Sequence, residues 1–164
     1  MIVAHDWPAG RSRPQKLSFV LTDAQAGPFP VSSEAIWCLE ENGNYRVRNI
    51  PFFIDGVSFD DVIEVEPEAT DGKWRIRRVV LASGNSTIWM YAKESVRGLQ
   101  LVDRLVATGC GVEGGVIPDL FAINVPAGNE IAEVIAVLDD AIEEGLIDVD
   151  YPSIRHPGVS VSED

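Results

Sequence analysis

Short alternations of apolar and polar residues fill the first half of the chain. Segments 16–22, 33–39, 45–49, 57–67 and 74–82 each have the length and the β-branched or alternating character of a strand. Turn formers separate them. Gly27-Pro28-Phe29-Pro30 marks one turn, and Asn42-Gly43 marks a hairpin because both residues tolerate positive φ, so 45–49 is expected to pair back on 33–39. Thr70-Asp71-Gly72-Lys73 turns 57–67 into 74–82. No helix of useful length fits before about residue 95. Many short strands joined by tight turns predict a strand-rich subdomain over 16–86, built as a small barrel or curled sheet.

The period changes after Ser83-Gly84-Asn85-Ser86. Segment 87–92 alternates as a strand, and 95–108 then places Leu99, Val102, Leu105 and Val106 on a helical stripe stopped by Gly109. Segments 111–118 and 119–126 read as a hairpin. Ile131, Val134, Ile135, Leu138 and Ile142 define a second helix, with Glu130 and Glu133 in the first turn, where the helix dipole favours acids, and Gly145 at its end. A strand over 146–151 completes a β-α-β-β-α-β order across 87–151, that of a ferredoxin-like unit. The expected fold class is therefore α+β: a strand-rich barrel or curled sheet followed by a ferredoxin-like subdomain. The ends, 1–15 and 152–164, lack periodicity and are expected to be flexible tails, His5 in the first and His156 in the second.

Composition narrows the function classes. A hydrophobic fraction of 46% and mean hydropathy of +0.06 over 164 residues are those of a folded globular chain. Against 13 Lys+Arg stand 26 Asp+Glu, a net charge of -13. Such a field repels phosphate backbones and anionic lipid, which argues against nucleic acid and membrane surfaces as partners and favours a protein partner with a basic surface. The start of the chain lacks the basic-then-apolar pattern of a secretory signal, and no stretch approaches the ~20 apolar residues of a spanning helix, so a cytoplasmic protein is expected. Cys38 and Cys110 stand far apart and predict reduced, part-buried thiols.

Candidate chemistry is sparse. There is no Gly-rich dinucleotide fingerprint, Ser-His-Asp set or Cys-x-x-Cys, and neither cofactor nor metal is expected. Asn49-Ile50-Pro51-Phe52-Phe53 reads as a core-forming bend, and Ser83-Gly84-Asn85-Ser86-Thr87 as a polar turn. Asp139, Asp140, Glu143 and Glu144 read as the solvated face opposite the second helix's stripe. The denser group is Asp55, Asp60, Asp61, Glu64, Glu66 and Glu68. Strand alternation puts Glu64, Glu66 and Glu68 on one face, where like charges cost stability unless a partner neutralises them. These six are the expected partner-binding residues of a non-enzymatic acidic protein, in its most concrete form an immunity or antitoxin-like protein that neutralises a basic partner. The alternatives are a small-molecule-sensing regulatory domain, and an enzyme built on Asp60, Asp61, Asn85 and Cys110.

The run Tyr45-Arg46-Val47-Arg48-Asn49-Ile50-Pro51-Phe52-Phe53, followed by Gly56-Val57-Ser58, Asp61-Val62-Ile63, Ser83-Gly84-Asn85-Ser86-Thr87, Gly109-Cys110, Glu113-Gly114 and Phe121-Ala122-Ile123-Asn124-Val125-Pro126, resembles the bacterial domain of unknown function 4265 family. The resemblance covers roughly 33–151 and implies that this stretch is one unit. It implies no active-site residue, and Asn85 stands where that family usually has His.

Overall fold

The computed structural model describes residues 13–69 and 71–159. The tail expectations for 1–12 and 160–164 lie outside the described residues. Contacts divide the chain between Ser83 and Gly84 into two compact units.

The first unit contains β1 (Gln15–Val20), α1 (Asp23–Ala26), β2 (Ser33–Glu41), β3 (Asn44–Val47), β4 (Val62–Pro67) and β5 (Trp74–Leu81). The strands follow one another around a closed barrel, sealed where Phe19 of β1 pairs in parallel with Trp74 of β5. Leu17, Phe19, Ile36, Cys38, Val47 and Ile63 fill it, alternate positions on successive strands as the two-residue strand period requires. The β2–β3 hairpin forms as the sequence predicts: Asn42 and Gly43 have φ of 52° and 82°, the doubly left-handed turn that suits the strand twist.

One strand is shorter than its pattern suggests. Residues 57–61 do not extend β4, because Gly56 and Asp60 adopt φ of 72° and 67° and fold the chain back, with the Asp60 amide bonded to the Val47 carbonyl. The aromatic bend is core, as read: Ile50, Phe52, Phe53, Ile54 and Val57 are all buried. A single helical turn, α1, precedes β2, held by a reciprocal cap between Thr22 and Gln25.

The second unit contains β6 (Ser86–Ala92), α2 (Ser95–Ala107), β7 (Gly111–Gly114), β8 (Leu120–Val125), α3 (Ile131–Glu143) and β9 (Ile147–Ser153). Its sheet runs β7-β8-β6-β9, with every neighbouring pair antiparallel. Ile88 and Met90 of β6, Ile123 and Val125 of β8, and Ile147 of β9 share one core with both helices. The coarse class, two antiparallel sheets with few helices, is that expected from the pattern.

Helix α2 buries a face rotated from the predicted stripe, whereas α3 keeps its stripe except at the last position. In α2 the buried residues are Gly98, Leu101 and Leu105, whereas Leu99 is 57% exposed and Val106 is 41% exposed. The reason is close approach: a Cβ at Gly98 would lie 2.5 Å from the Ala92 Cβ. Gly98 lets the helix settle on β6, which turns Leu99 outward. In α3 Ile131, Val134, Leu138 and Ala141 are buried, while Ile142 is 41% exposed. Gly98 selects the packed face of α2, and hydrophobicity patterns do not register it.

The C-terminal reading also changes. Strand β9 continues to Ser153, Ile154 and Val159 pack against the second core, and His156 is buried. The described part of 152–164 is thus structured, because its two aliphatic residues find apolar surface beside β9.

Gly98→Ala is expected to lower stability by about 1–3 kcal/mol through overpacking, despite the ~1 kcal/mol helix preference for alanine. Leu99→Ala is expected to change it by less than about 0.5 kcal/mol. Urea midpoints of the two variants check the phase of α2; the reverse ranking would contradict it.

Candidate functional site

The polar side chains of the first unit act chiefly on its own backbone. Asn49 Oδ1 accepts from the Trp37 amide at 2.7 Å. Glu34, buried on β2, accepts from the Phe52 amide at 2.6 Å and the Phe53 amide at 3.0 Å. Asp61, wholly buried, accepts from the Ser58 and Ser83 amides, both at 2.8 Å. Charge-assisted bonds from backbone N–H groups are strong in a dry interior, and together they fix the 49–61 segment against β2 and the end of β5.

The six acids expected to meet a partner all have internal ones. Asp55 accepts from Gln25 Nε2 at 3.0 Å, Asp60 pairs with Arg48, and Asp61 is the anchor just described. On β4 the predicted alignment of Glu64, Glu66 and Glu68 is opposed by three arginines of β5. Arg78 meets Glu64 at 2.6 Å, Arg75 meets Glu68 at 2.8 Å, and Arg77 lies 3.7 Å from Glu64 and 3.5 Å from Glu66. The Arg78 hydrogen bond is the main cause holding the Glu64 carboxyl below its usual range. The like-charge cost that called for an external partner is therefore relieved across the β4–β5 ladder. Which arginine faces which glutamate depends on two register shifts in that ladder, a detail the strand pattern does not encode.

A serine and a histidine do come together, although the sequence separates them by 70 positions. Ser86 Oγ lies 2.6 Å from His156 Nδ1, and His156 Nε2 lies 3.0 Å from the Pro126 carbonyl. A carbonyl only accepts, so Nε2 donates to Pro126; in the tautomer with its proton on Nε2, Nδ1 accepts from the Ser86 hydroxyl. The Arg155 amide donates to the same Ser86 Oγ at 2.9 Å. With Ser86 wholly buried and its oxygen engaged by a backbone donor, the pair acts as a clamp on the chain after β9.

The residues of the alternative enzyme reading are split between the units: Asp60 and Asp61 in the first, Asn85 and Cys110 in the second. Asn85 Oδ1 accepts from the Ala127 amide at 2.9 Å. Burial pushes the Cys110 thiol up, partly opposed by a hydrogen bond with Thr108, and burial pushes Cys38 up to about 12. Both thiols are free and buried, which disfavours thiolate chemistry. Among the described residues, no group of three or more His, Cys, Asp or Glu side chains is placed to hold a metal ion. Among them, too, no helix is long and apolar enough to cross a membrane.

Unpaired acidity lies in the second unit. Residues 1–83 carry 9 Lys+Arg and 12 Asp+Glu, a net of -3, whereas residues 84–164 carry 4 and 14, a net of -10. Between 130 and 150 there are eight acids and no Lys or Arg. Glu133, Asp139, Asp140, Glu143 and Glu144 are exposed on α3, and Asp148 and Asp150 on β9. Two pairs offset part of this: Lys93 with Asp148 at 2.9 Å and Arg97 with Glu144 at 3.8 Å. Glu133, Asp139, Asp140 and Glu143 have no ion-pair partner among the described residues.

A closed barrel and an open antiparallel sheet with two helices define a mixed α+β protein whose buried polar groups chiefly hold its loops. By sequence the chain belongs to the family described as Domain of unknown function (DUF4265), whose model matches residues 34–149. No curated protein matches the chain. A solved structure, described as a hypothetical protein from Neisseria gonorrhoeae, is similar with a TM-score of 0.66 and 14% identity, covering 91% of this chain and 99% of that one. That likeness concerns fold alone.

Two outcomes follow from these buried groups. Asp61→Ala is expected to cost about 3 kcal/mol in urea unfolding, since it strands the buried Ser58 amide and the part-buried Ser83 amide. For Cys38, the folded thiol has the raised pKa, so its contribution is full below the unfolded thiol's pKa and fades as pH rises toward about 12. Between pH 7 and 10 the wild type is expected to lose on the order of 1 kcal/mol more than Cys38→Val. Equal losses would show that the thiol is not held protonated.

Proposed function

We propose that this is a non-enzymatic cytoplasmic binding protein that presents an acidic surface to a basic protein partner, an immunity or antitoxin-like protein being its most concrete form. The observation that carries the reading is the unequal charge: the acids of β4 and the loop before it meet internal partners, while α3 and β9 leave most of theirs facing solvent. Like charges crowded on one helix destabilise it by a few tenths of a kcal/mol per pair, a cost that a basic partner removes. The same field speeds encounter with such a partner. Two free thiols suit a reducing compartment. We read the second unit as ferredoxin-like, supported by its β-α-β-β-α-β order and the strand sequence β7-β8-β6-β9. On this reading the partner surface is the α3–β9 face, and Asp55, Asp60, Asp61, Glu64, Glu66 and Glu68 serve mainly the barrel.

Co-expression with the products of neighbouring genes, followed by affinity capture, tests the proposal. Capture of a basic protein is expected, lost on combined Glu133→Lys, Asp139→Lys and Glu143→Lys and retained with Glu64→Lys, Glu66→Lys and Glu68→Lys. Loss only with the second set would return the surface to the barrel. Capture indifferent to both sets would overturn the acidic-surface reading.

A further inference from the structure

Helices α2 and α3 flank a cleft of about 220 Å³ at the start of β9. Its two walls differ in charge. Arg97 and Arg104 project from α2, seven residues apart and so roughly 10 Å along the helix axis. Asp140 and Glu144 face them from the last turn of α3, one turn apart. The floor is apolar, formed by the buried side chains of Leu101 and Ala141. On its α3 wall position 141 holds alanine, where the rest of the buried stripe is Ile131, Val134 and Leu138.

The charges across this cleft are only partly closed on each other. Arg97 and Glu144 stand 3.8 Å apart, beyond hydrogen-bond distance. Arg104 and Asp140 line the same space without forming an ion pair, and Arg104 has none among the described residues. A guanidinium held across an apolar floor from a carboxylate suits a ligand that carries one anionic group, one cationic group and a small apolar body. At about 220 Å³ the cleft is below the usual range of drug-sized pockets and suits a small ligand.

We propose that this cleft binds a small zwitterion of the free α-amino acid class. Arg104 receives the carboxylate through its forked N–H donors, Asp140 and Glu144 receive the ammonium, and the side chain lies over Leu101 and Ala141. The cleft shares Asp140 and Glu144 with the acidic face proposed above, but Glu133, Asp139 and Glu143 do not line it, so substitution can separate the two.

Calorimetric titration of the full chain with each proteinogenic L-amino acid at millimolar concentration, alongside thermal melts, tests the assignment. At least one amino acid with a small or aliphatic side chain is expected to bind and raise the melting temperature, whereas its N-acetyl and decarboxylated analogues are not. Arg104→Gln, an exposed change that leaves the floor intact, is expected to weaken binding about tenfold or more. Ala141→Leu is expected to abolish it by filling the cleft. Absence of binding by every amino acid would overturn the proposal, as would binding that survives Arg104→Gln or is shared by the N-acetyl analogue. Loss of partner capture with Glu133, Asp139 and Glu143 reversed, while amino-acid binding persists, separates the two sites.

Discussion

A carboxylate removed from water must replace the hydrogen bonds it loses, and Glu34 and Asp61 do so with backbone amides. That constraint organises the first unit. Glu34 reaches across from β2 to the Phe52 and Phe53 amides, and Asp61 ties Ser58 to Ser83. With Asn49 bonded to the Trp37 amide, the loop between β3 and β4 is fastened at three places, and its aromatic and aliphatic residues are carried into the core. The residues on which the family resemblance rests are in good part these fasteners. Family membership therefore speaks first for a way of building the loop, and it is compatible with more than one use of the protein's surface.

Charge takes a different form in each unit. In the barrel, the arginines of β5 stand opposite the glutamates of β4, so the densest acidic stretch is close to neutral as a surface. In the second unit the basic residues are few and the acids of α3 face water. Net charge alone did not distinguish these cases; the location of the counter-charges did. The exposed acids of α3 without counter-charges nearby are therefore those on the side away from Arg97 and Arg104.

Much of the architecture was legible because it rests on local signals. Asn42-Gly43 encodes its hairpin through backbone freedom, and the two helices announce themselves by period. What escaped depends on residues that pattern analysis passes over or on partners distant in sequence. Gly98 adds nothing to a hydrophobic stripe, yet it decides which side of α2 meets β6. Ala141 likewise counts for little in a periodicity and lines the cleft between the helices. The Ser86–His156 clamp was invisible because its members lie in different segments, and the described part of the supposed tail packs because Ile154 and Val159 find apolar surface. The six acids stand out in the sequence by density, but the partners of Glu64, Glu66 and Glu68 depend on a ladder register with two shifts.

Barrel closure has one more consequence. A strand joined to neighbours on both sides offers little free backbone to another chain, and among the described residues the first unit closes its sheet where Phe19 meets Trp74. Among the described residues, the second sheet keeps two edges, β7 and β9. Strand β7 is only four residues long, and β9 carries Asp148, Asp150 and Pro152. Short length, charge and a proline that lacks an amide proton are the features that keep an open edge from recruiting further strands. The acids of β9 thus also make that edge a poor template for strand addition.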